Sequence, residues 1–552
     1  MTKGALQNSS GQQKHQQSPK KGLAGASVCV KVVSMQKQSV TQDHYTTFER
    51  HGQVVLALNS EIALPEDAPV RLTSAQLEEL DYRKLYEAYS SKGRKSVADP
   101  RVMFKVMVYG YQCGIYSSRK LEEACRYRID FMWLLGDEKT PDYTTFARFR
   151  TGRCAEAVED LFYQYVRYLE KQGETDHKTV FIDGTKLESR AGRYTFCWRK
   201  STERHLRSVK ETVKKQCGAD SLQELKRHLE EQAGSFVFVF GKGRHKSEAQ
   251  RQWESLDALR ERWERYTEAL EIMGKGRNSF SKTDPDATFM RMKEDHMRNG
   301  QLKPGYNIQI AVNSEYITGL EAFVDRTDVR TLKPFLRKLE QMQQSRYEEV
   351  TADAGYESLE NYLYLEDNGQ YCFIKPQNYE VQKKRSFKKQ IGRIENMQYD
   401  PEEDCFTCAE GRKLPLRREC TAEESGHFVT TAWYRCEDCS NCPRRKACCQ
   451  AKDAEQPKEV VLRKTFWEKR ESGKRNIITD YGVYLRQCRS IQVEGAFGLL
   501  KNDFGFRRFL TRGKKNIRVE LFFLAIAFDL KKLWMKRDKG RLRTHLSEIS
   551  AA

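Results

Sequence analysis

A chain of 552 residues is too long for one average core, so two to four structural units are expected. Its 97 Lys and Arg against 77 Asp and Glu leave a net charge of +20, an excess that points to a polyanionic partner, nucleic acid ahead of a membrane surface. The longest apolar run, LFFLAIAF at 521–528, falls short of the roughly 20 residues that span a bilayer, and the opening MTKGALQNSSGQQKHQQSPKK has no apolar signal core. A cytoplasmic chain with reduced thiols and no membrane partner is therefore expected.

Residues 1–45 are rich in Gln, Ser and Lys without periodicity and read as a disordered tail. From Pro65 the pattern turns helical. SAQLEELDYRKLYEAY opens on Ser74 as its expected N-cap, DPRVMFKVMVYGYQCG has Pro100 near its first helical position, and SSRKLEEACRYRIDFMWLL again starts on Ser. TPDYTTFARFRTGRCAEAVEDLFYQYVRYLEKQG makes one long helix or two. These segments give a helical N-terminal domain over 46–172.

KTVFIDGTKLE (178–188) then takes on the β-branched, bounded look of a strand. Residues 201–278 are dense in Lys, Glu and Arg at helical spacing around the break GSFVFVFGKG, and read as an inserted helical hairpin. YNIQIAV (306–312) and ITGLEAFV (317–324) are strands, with VNSE as their turn. A helix (330–344), the strand EEVTADAGY, a short helix (358–366) and the strand QYCFIKP (370–376) follow. A Cys-rich insertion fills 377–457, helices near 485–502 and 517–535 close the segment 458–535, and 536–552 is a basic tail. Without the two insertions, three strands, helix, strand, helix, strand and terminal helices fit an α/β mixed sheet covered by helices, in ribonuclease-H-like order. That core is split into 173–376 and 458–535.

Three carboxylates stand out by position. Asp183 is central in an apolar strand, where an unpaired charge is expensive to bury. Asp353 ends another apolar strand just before Gly355, where the backbone can turn away. Glu494 flanks a stripe of Val493, Phe497 and Leu500, which recur at i, i+4 and i+7 and face the core. Each has an ordinary explanation: turn residues for the two Asp, a surface ion pair for Glu494. Together they fall where the sheet order would converge two strand ends and a covering helix. Three ionised carboxylates at one point repel one another unless cations neutralise them, and hard oxygen ligands suit Mg²⁺ or Mn²⁺. Two such ions serve phosphodiester cleavage or strand transfer.

Eight of the sixteen cysteines lie between Cys405 and Cys449. Cys405 and Cys408, then Cys436, Cys439, Cys442 and Cys448, supply the paired C-x₂-C knuckles that bind one tetrahedral Zn²⁺, a structural site for an insertion with little core of its own. Beyond Glu494, Arg507, Arg508, Arg512, Lys514 and Lys515 interleave with Phe504, Phe506 and Phe509 as a candidate path for DNA backbone. The helices around 118–152 are a candidate helix-turn-helix-like reader of DNA.

FIDGTKLESRAGRYTFCWRKS, TADAGY and VEGAFGLLKNDFGFRRFLTRG resemble the three catalytic blocks of DDE transposases of bacterial insertion sequences, most of all the insertion-sequence-eleven-eighty-two branch. GRKSVADPRVMFKVMVYGYQCGIYSSRKLEEACR and DYTTFARFR extend the resemblance to that group's N-terminal domain, so that it covers roughly 45–535. It implies that Asp183, Asp353 and Glu494 are a metal-binding triad and that Lys501, seven residues after the Glu and on the same helix face, contacts DNA phosphate. It also implies that Cys439, Cys442 and Cys448 belong to a shared metal motif, with Cys408 or Cys436 as the fourth ligand. The related insertion-sequence-four group has Tyr and Arg at fixed spacings before the Glu. Those positions here are Gln487 and Ser490, with Arg489 one residue off and Tyr484 three off as the candidate equivalents. The implied activity is cleavage and strand transfer of double-stranded DNA, at element ends and target, by a dimer or larger assembly. The rival readings are a ribonuclease-H-like nuclease without strand transfer and a non-catalytic zinc-containing DNA-binding protein.

Overall fold

The computed structural model describes residues 64–89, 96–241, 245–292, 300–449 and 456–545. The expected tail 1–45, the start of the helical segment at 46–63 and the end of the basic tail at 546–552 lie outside the described residues.

The first helix, α1 (Pro69–Glu78), starts five residues ahead of the expected Ser74 cap. Proline at its first position is already at helical φ, so Ser74 lies inside the helix. The pattern then breaks where the Asp81 carboxylate accepts the Arg83 N–H (2.9 Å), which starts the short helix Arg83–Glu87. In α2 (Pro100–Gln112) Pro100 is at the first turn as the spacing predicts, and the Asp99 side chain caps Arg101 N. Ser117 occupies the N-cap position of α3 (Ser118–Tyr127) but its side chain makes no capping bond. The long segment after Pro141 forms two helices, α4 (Tyr143–Arg148), prolonged by a π-turn at Phe149–Arg153, and α5 (Val158–Lys171).

The main sheet runs β4 (Thr288–Arg291), β5 (Leu302–Asn313), β1 (Thr179–Glu188), β7 (Glu349–Ala352) and β8 (Tyr371–Ile374), with β6 (Tyr316–Phe323) also paired to β5; β2 (Phe196–Trp198) and β3 (Ser279–Ser281) pair with each other apart from it. β1 is antiparallel to β5 and parallel to β7, and β7 is parallel to β8, so the sheet is mixed. β5 and β6 are joined through Ser314 and Glu315, both at positive φ (51° and 74°), the primed turn geometry that matches strand twist. Between β1 and β4, α6 (Arg199–Cys217), α7 (Leu222–Ala233) and α8 (Glu248–Met273) pack around Val213, Leu225, Leu256 and Trp263. Helix α9 (Leu332–Gln343) covers one face of the sheet, burying Leu332, Phe335 and Leu336 with Val180, Ile182 and Ala311. α10 (Leu359–Asp367) links β7 to β8.

The Cys-rich segment contains a five-stranded antiparallel sheet, β9 (Gln398–Asp400), β10 (Cys405–Thr407), β11 (Lys413–Glu424), β12 (His427–Arg435) and β13 (Glu459–Arg463), which its sequence does not announce. Its longest strand, β11 (Lys413–Glu424), is exposed along nearly its whole length, so neither face carries the apolar alternation that marks a strand. Phe406, Leu414, Tyr434 and Leu462 form a small core there.

Helices α11 (Lys464–Ile478) and α12 (Asp480–Arg489) lead into alternating π and α turns, then α13 (Lys514–Asp538). α13 is apolar all round over 521–528 because it is sandwiched. Phe523 meets Phe104 and Tyr111 of α2, each at 5.5 Å between ring centroids, and Phe522 meets Phe162 of α5 at 5.4 Å. Asp529 on its other side accepts the Ile317 N–H of β6 (2.8 Å) while burial pushes its carboxyl well above the usual carboxylate range. One apolar core thus runs from Val70 to Leu533 and joins the N-terminal helices to the sheet. Among the described residues no helix is long and apolar enough to cross a membrane.

Candidate active site

Strands β1 and β7 pair in parallel from Thr179↔Glu349 to Ile182↔Ala352. The next residues on each strand are Asp183 and Asp353, which therefore stand at the same level of adjacent strands, spaced by roughly 4.8 Å of sheet. Side chains alternate along β1, so Asp183 shares a face with Phe181 and points away from α9 toward the C-terminal helices. It is 8 % exposed. Asp353 leaves the strand in extended conformation and its Oδ1 accepts the Gly355 N–H (2.7 Å), the turn role open to it from sequence.

The helix that carries Glu494 is irregular. α12 ends at Arg489, and Ser490–Glu494 is a π-turn, closed i→i+5. In an α-helix Arg489 and Glu494 are one residue out of phase for a shared face; the π closure takes up the extra residue. Arg489 accordingly reaches the sheet, with Nη1 3.4 Å from Oδ2 of Asp183. A cavity of about 780 Å³ is lined by Asp353, Arg489, Ser490, Arg486 and Lys375. Ser490, which lines the cavity, donates from Oγ to Oε1 of the exposed Glu494 at 3.4 Å. Asp183, Asp353 and Arg489 are thus brought together from two strands and a helix, with Glu494 exposed on the turn that follows Arg489.

Three expectations are revised. The seven residues from Glu494 to Lys501 are not two plain α turns, because a second π-turn covers Leu499–Asp503. Glu494 is exposed, whereas Lys501 is half-buried along a narrow apolar cavity with Thr185, Ile310 and Leu500. Tyr484 packs against the core and stacks on Tyr481, and does not line the Asp353 cavity. Phe504, Phe506 and Phe509 are buried core residues, not an aromatic path interleaved with the arginines. Of the basic residues around them, Arg507 is exposed, Arg508 and Arg512 line a second cleft, and Lys514 Nζ lies 3.7 Å from Glu321.

Sequence reasoning also missed a polar group behind the two aspartates. Asp328 Oδ1 accepts from Asn307 Nδ2 (2.7 Å) and Gln309 Nε2 (3.0 Å), and the buried Tyr356 hydroxyl bonds Gln309 Oε1. Its carboxylate fills the space beside two glycines: a Cβ on Gly184 would meet Oδ1 at 2.8 Å, and one on Gly355 would meet Oδ2 at 3.4 Å. Asp328 therefore backs the residues next to both Asp183 and Asp353. Nothing in its local sequence marks it.

The three carboxylates are hard oxygen donors suited to a divalent cation, and Asp183 already faces a cationic guanidinium. Their spacing is open. Among the described residues, the one set of three ligand atoms all within 4.8 Å of one another is Asp400, Glu403 and Cys405, in the small sheet, where Glu403 is paired with Lys413. Of the expected zinc ligands, the Cys436 thiol contacts that of Cys439 and interacts with Cys408, and Cys448 interacts with Cys408 and Cys439. Burial first, then its neighbour Cys439, pushes Cys436 up to about 12. These thiols are neighbours, yet no three of their sulfurs lie within 4.8 Å of one another, and Cys442 follows one turn on, its backbone N–H bonded to Cys439 O (3.4 Å).

Residues 407–534 match the family model described as Transposase DDE domain, and residues 58–152 that described as Transposase domain (DUF772). The two matches support a DDE transposase, and with it DNA as partner and use of a divalent metal. The matched segments contain Glu494, the cysteines from Cys408 to Cys449 and helices α1 to α4, and leave Asp183, Asp353 and Cys405 outside. No curated protein and no solved structure matches the chain.

Proposed function

We propose that the chain is a transposase that cuts and joins double-stranded DNA at Asp183, Asp353 and Glu494, of the kind found in the insertion-sequence-eleven-eighty-two branch. The observation that carries the reading is the parallel register that sets Asp183 and Asp353 side by side, with Arg489 against the first and lining a cavity with the second. Strand order supports it: three antiparallel strands followed by two parallel ones, with helices on both faces, is the ribonuclease-H-like arrangement.

Asp183, Asp353 and Glu494 would hold Mg²⁺ or Mn²⁺, ions that supply the positive charge needed to activate an attacking oxygen and steady the leaving one. Arg489, Arg486 and Lys375 give the cavity three cationic side chains to orient a phosphodiester whose charge they match. Ser490 steadies Glu494, and Asp328 with Gln309 and Tyr356 braces the backbone beside the aspartates. Water attacks in the first cut and the freed 3′-hydroxyl in the join, each exchanging one P–O bond for another. Residues 46–172 are assigned to DNA binding, and two element ends call for a dimer or larger assembly.

The test pairs labelled duplexes made from the DNA flanking this reading frame with a target plasmid under Mg²⁺. Joined product is the expected result; cleavage without joining assigns a nuclease instead, and no cleavage rejects the catalytic reading.

The cysteine cluster is assigned a structural Zn²⁺ through Cys408, Cys436, Cys439 and Cys448, a cross-link that would hold a segment with a small core. Elemental analysis of purified chain is expected to give one zinc per molecule, lost in Cys439→Ser and kept in Cys442→Ser. Zinc-free wild-type chain that is fully folded rules the assignment out.

A further inference from the structure

A second basic concavity lies away from the carboxylates. A cleft of about 960 Å³ lies between the α3–α4 region and the loop after Glu494, and five arginines line it: Arg119, Arg150, Arg190, Arg508 and Arg512. No carboxylate among the described residues lines it. Guanidinium groups gathered this way repel one another, and solvent screens that repulsion only in part.

How they are held matters. Arg150, only 5 % exposed, donates to Tyr116 O (2.9 Å) and Ser118 Oγ (2.6 Å), and its buried Nε has no hydrogen-bond partner among the described residues. Arg190 donates to Leu510 O (2.7 Å), and Arg508 to Ser189 O (3.1 Å) and Ala191 O (3.2 Å). Carbonyl and hydroxyl acceptors fix a guanidinium in place and leave its charge intact. Arg119 is stacked on Tyr143 at 4.4 Å, and Arg512 is exposed. Two of the five have a carboxylate nearby: Arg508 lies 3.7 Å from Glu188, and Arg150 feels the buried Glu520 behind the cleft. The loop itself is pinned: buried Glu520 accepts the backbone N–H of Leu510 (3.0 Å) and Thr511 (2.7 Å). The uncapped start of α3, at Ser117 and Ser118, opens into the same cleft and adds unsatisfied N–H groups.

We infer that this cleft is a second DNA site, which grips backbone phosphates at a distance from the cleavage centre. β1 carries the chain from Asp183 to Glu188 at roughly 3.3 Å per residue, so Arg190 lies on the order of 20 Å from that carboxylate, about six base pairs along a duplex. Planar guanidinium forks suit phosphate oxygens, so the binding inferred here is to backbone and largely independent of sequence. The inference rests on the transposase reading for the identity of the polyanion.

The test uses the full chain and a fluorescein-labelled random duplex of about 20 base pairs, titrated between roughly 50 and 200 mM salt. Arg119→Gln with Arg512→Gln changes two side chains at the cleft's open edge, and thermal melting checks that folding is kept. Affinity is expected to fall at least about tenfold at the lowest salt, and the slope of log Kd against log salt to drop by about 2, near 0.9 for each phosphate that is no longer neutralised. Lys215→Gln with Arg227→Gln, exposed on α6 and α7, is expected to change neither much. Unchanged affinity and slope in the cleft variant, or an equal loss in the α6–α7 variant, overturns the cleft as a site. Wild-type chain that binds and cuts DNA while the cleft variant behaves like it sinks this inference alone; wild-type chain that neither binds nor cuts sinks the functional reading as well.

Discussion

Asp353→Asn is expected to lower metal-dependent DNA cleavage by on the order of a thousandfold while leaving duplex binding as tight as in the wild type. The substitution is close to isosteric. The amide oxygen of Asn can still accept the Gly355 N–H that Asp353 Oδ1 now accepts at 2.7 Å, so the turn after β7 is kept. What is lost is the negative charge and hard-ligand character beside Asp183, which a neutral amide replaces poorly for Mg²⁺. Binding rests on cationic surfaces elsewhere, and removing a carboxylate from among Lys375, Arg486 and Arg489 does not weaken attraction to phosphate. Cleavage rate under saturating Mg²⁺ and binding anisotropy, measured on the same preparation, separate the two effects. A variant that cuts at the wild-type rate removes Asp353 from the chemistry and with it the triad.

The positions of those aspartates were readable because each breaks a strong local rule. A charge in the middle of FIDGT and another at the end of EVTAD are costly unless something uses them. Glu494 and Arg489 were readable only in part. Counting residues assumes α-helical phase, and on that assumption Arg489 falls one short of its place; the π-turn at Ser490–Glu494 absorbs the mismatch, and no composition rule marks such a turn. Asp328 was hidden for another reason. It acts through the empty Cβ positions of Gly184 and Gly355, residues distant in sequence, so its relation to the aspartates exists only in three dimensions. The aromatic residues after Glu494 misled in the opposite sense. Phe504, Phe506 and Phe509 alternate with arginines as a stacking surface would, yet the alternation marks an irregular segment with one side in the core. The union of N-terminal helices and sheet was equally out of reach, because the apolar run at 521–528 says that α13 is buried and not between what.

The dependence on α13 leads to the largest expected effect on stability. Lys536, near its end, is 0 % exposed, and its Nζ donates to Glu174, 2 % exposed, at 2.7 Å. Glu174 also accepts from Tyr316 Oη (2.9 Å) and from the Arg543 N–H (2.7 Å), so one carboxylate ties the end of α13 to β6 and to the turn after α5. Lys536→Met keeps most of the side-chain volume and leaves that carboxylate buried without its cation, a change expected to cost about 3–5 kcal/mol. Replacing both partners, as Lys536→Met with Glu174→Gln, removes the orphaned charge and is expected to recover most of the loss. Burial by itself would raise the Glu174 pKa; the bonds from Lys536, Arg543 and Tyr316 outweigh it and hold the carboxyl below its usual value. A carboxyl with a lowered folded-state pKa adds stability that is fully present above its unfolded value of about 4.3 and is lost as pH falls through the folded one. The gap between wild type and Lys536→Met should therefore be widest near neutral pH and shrink below about pH 4. Denaturant midpoints at both pH values measure it. Equal midpoints at neutral pH would show that the pair does not hold α13. A full gap that persists in acid would place the stabilisation in the packing of the Lys536 stem over the Tyr316 ring, 4.9 Å from its ammonium, and not in the charge.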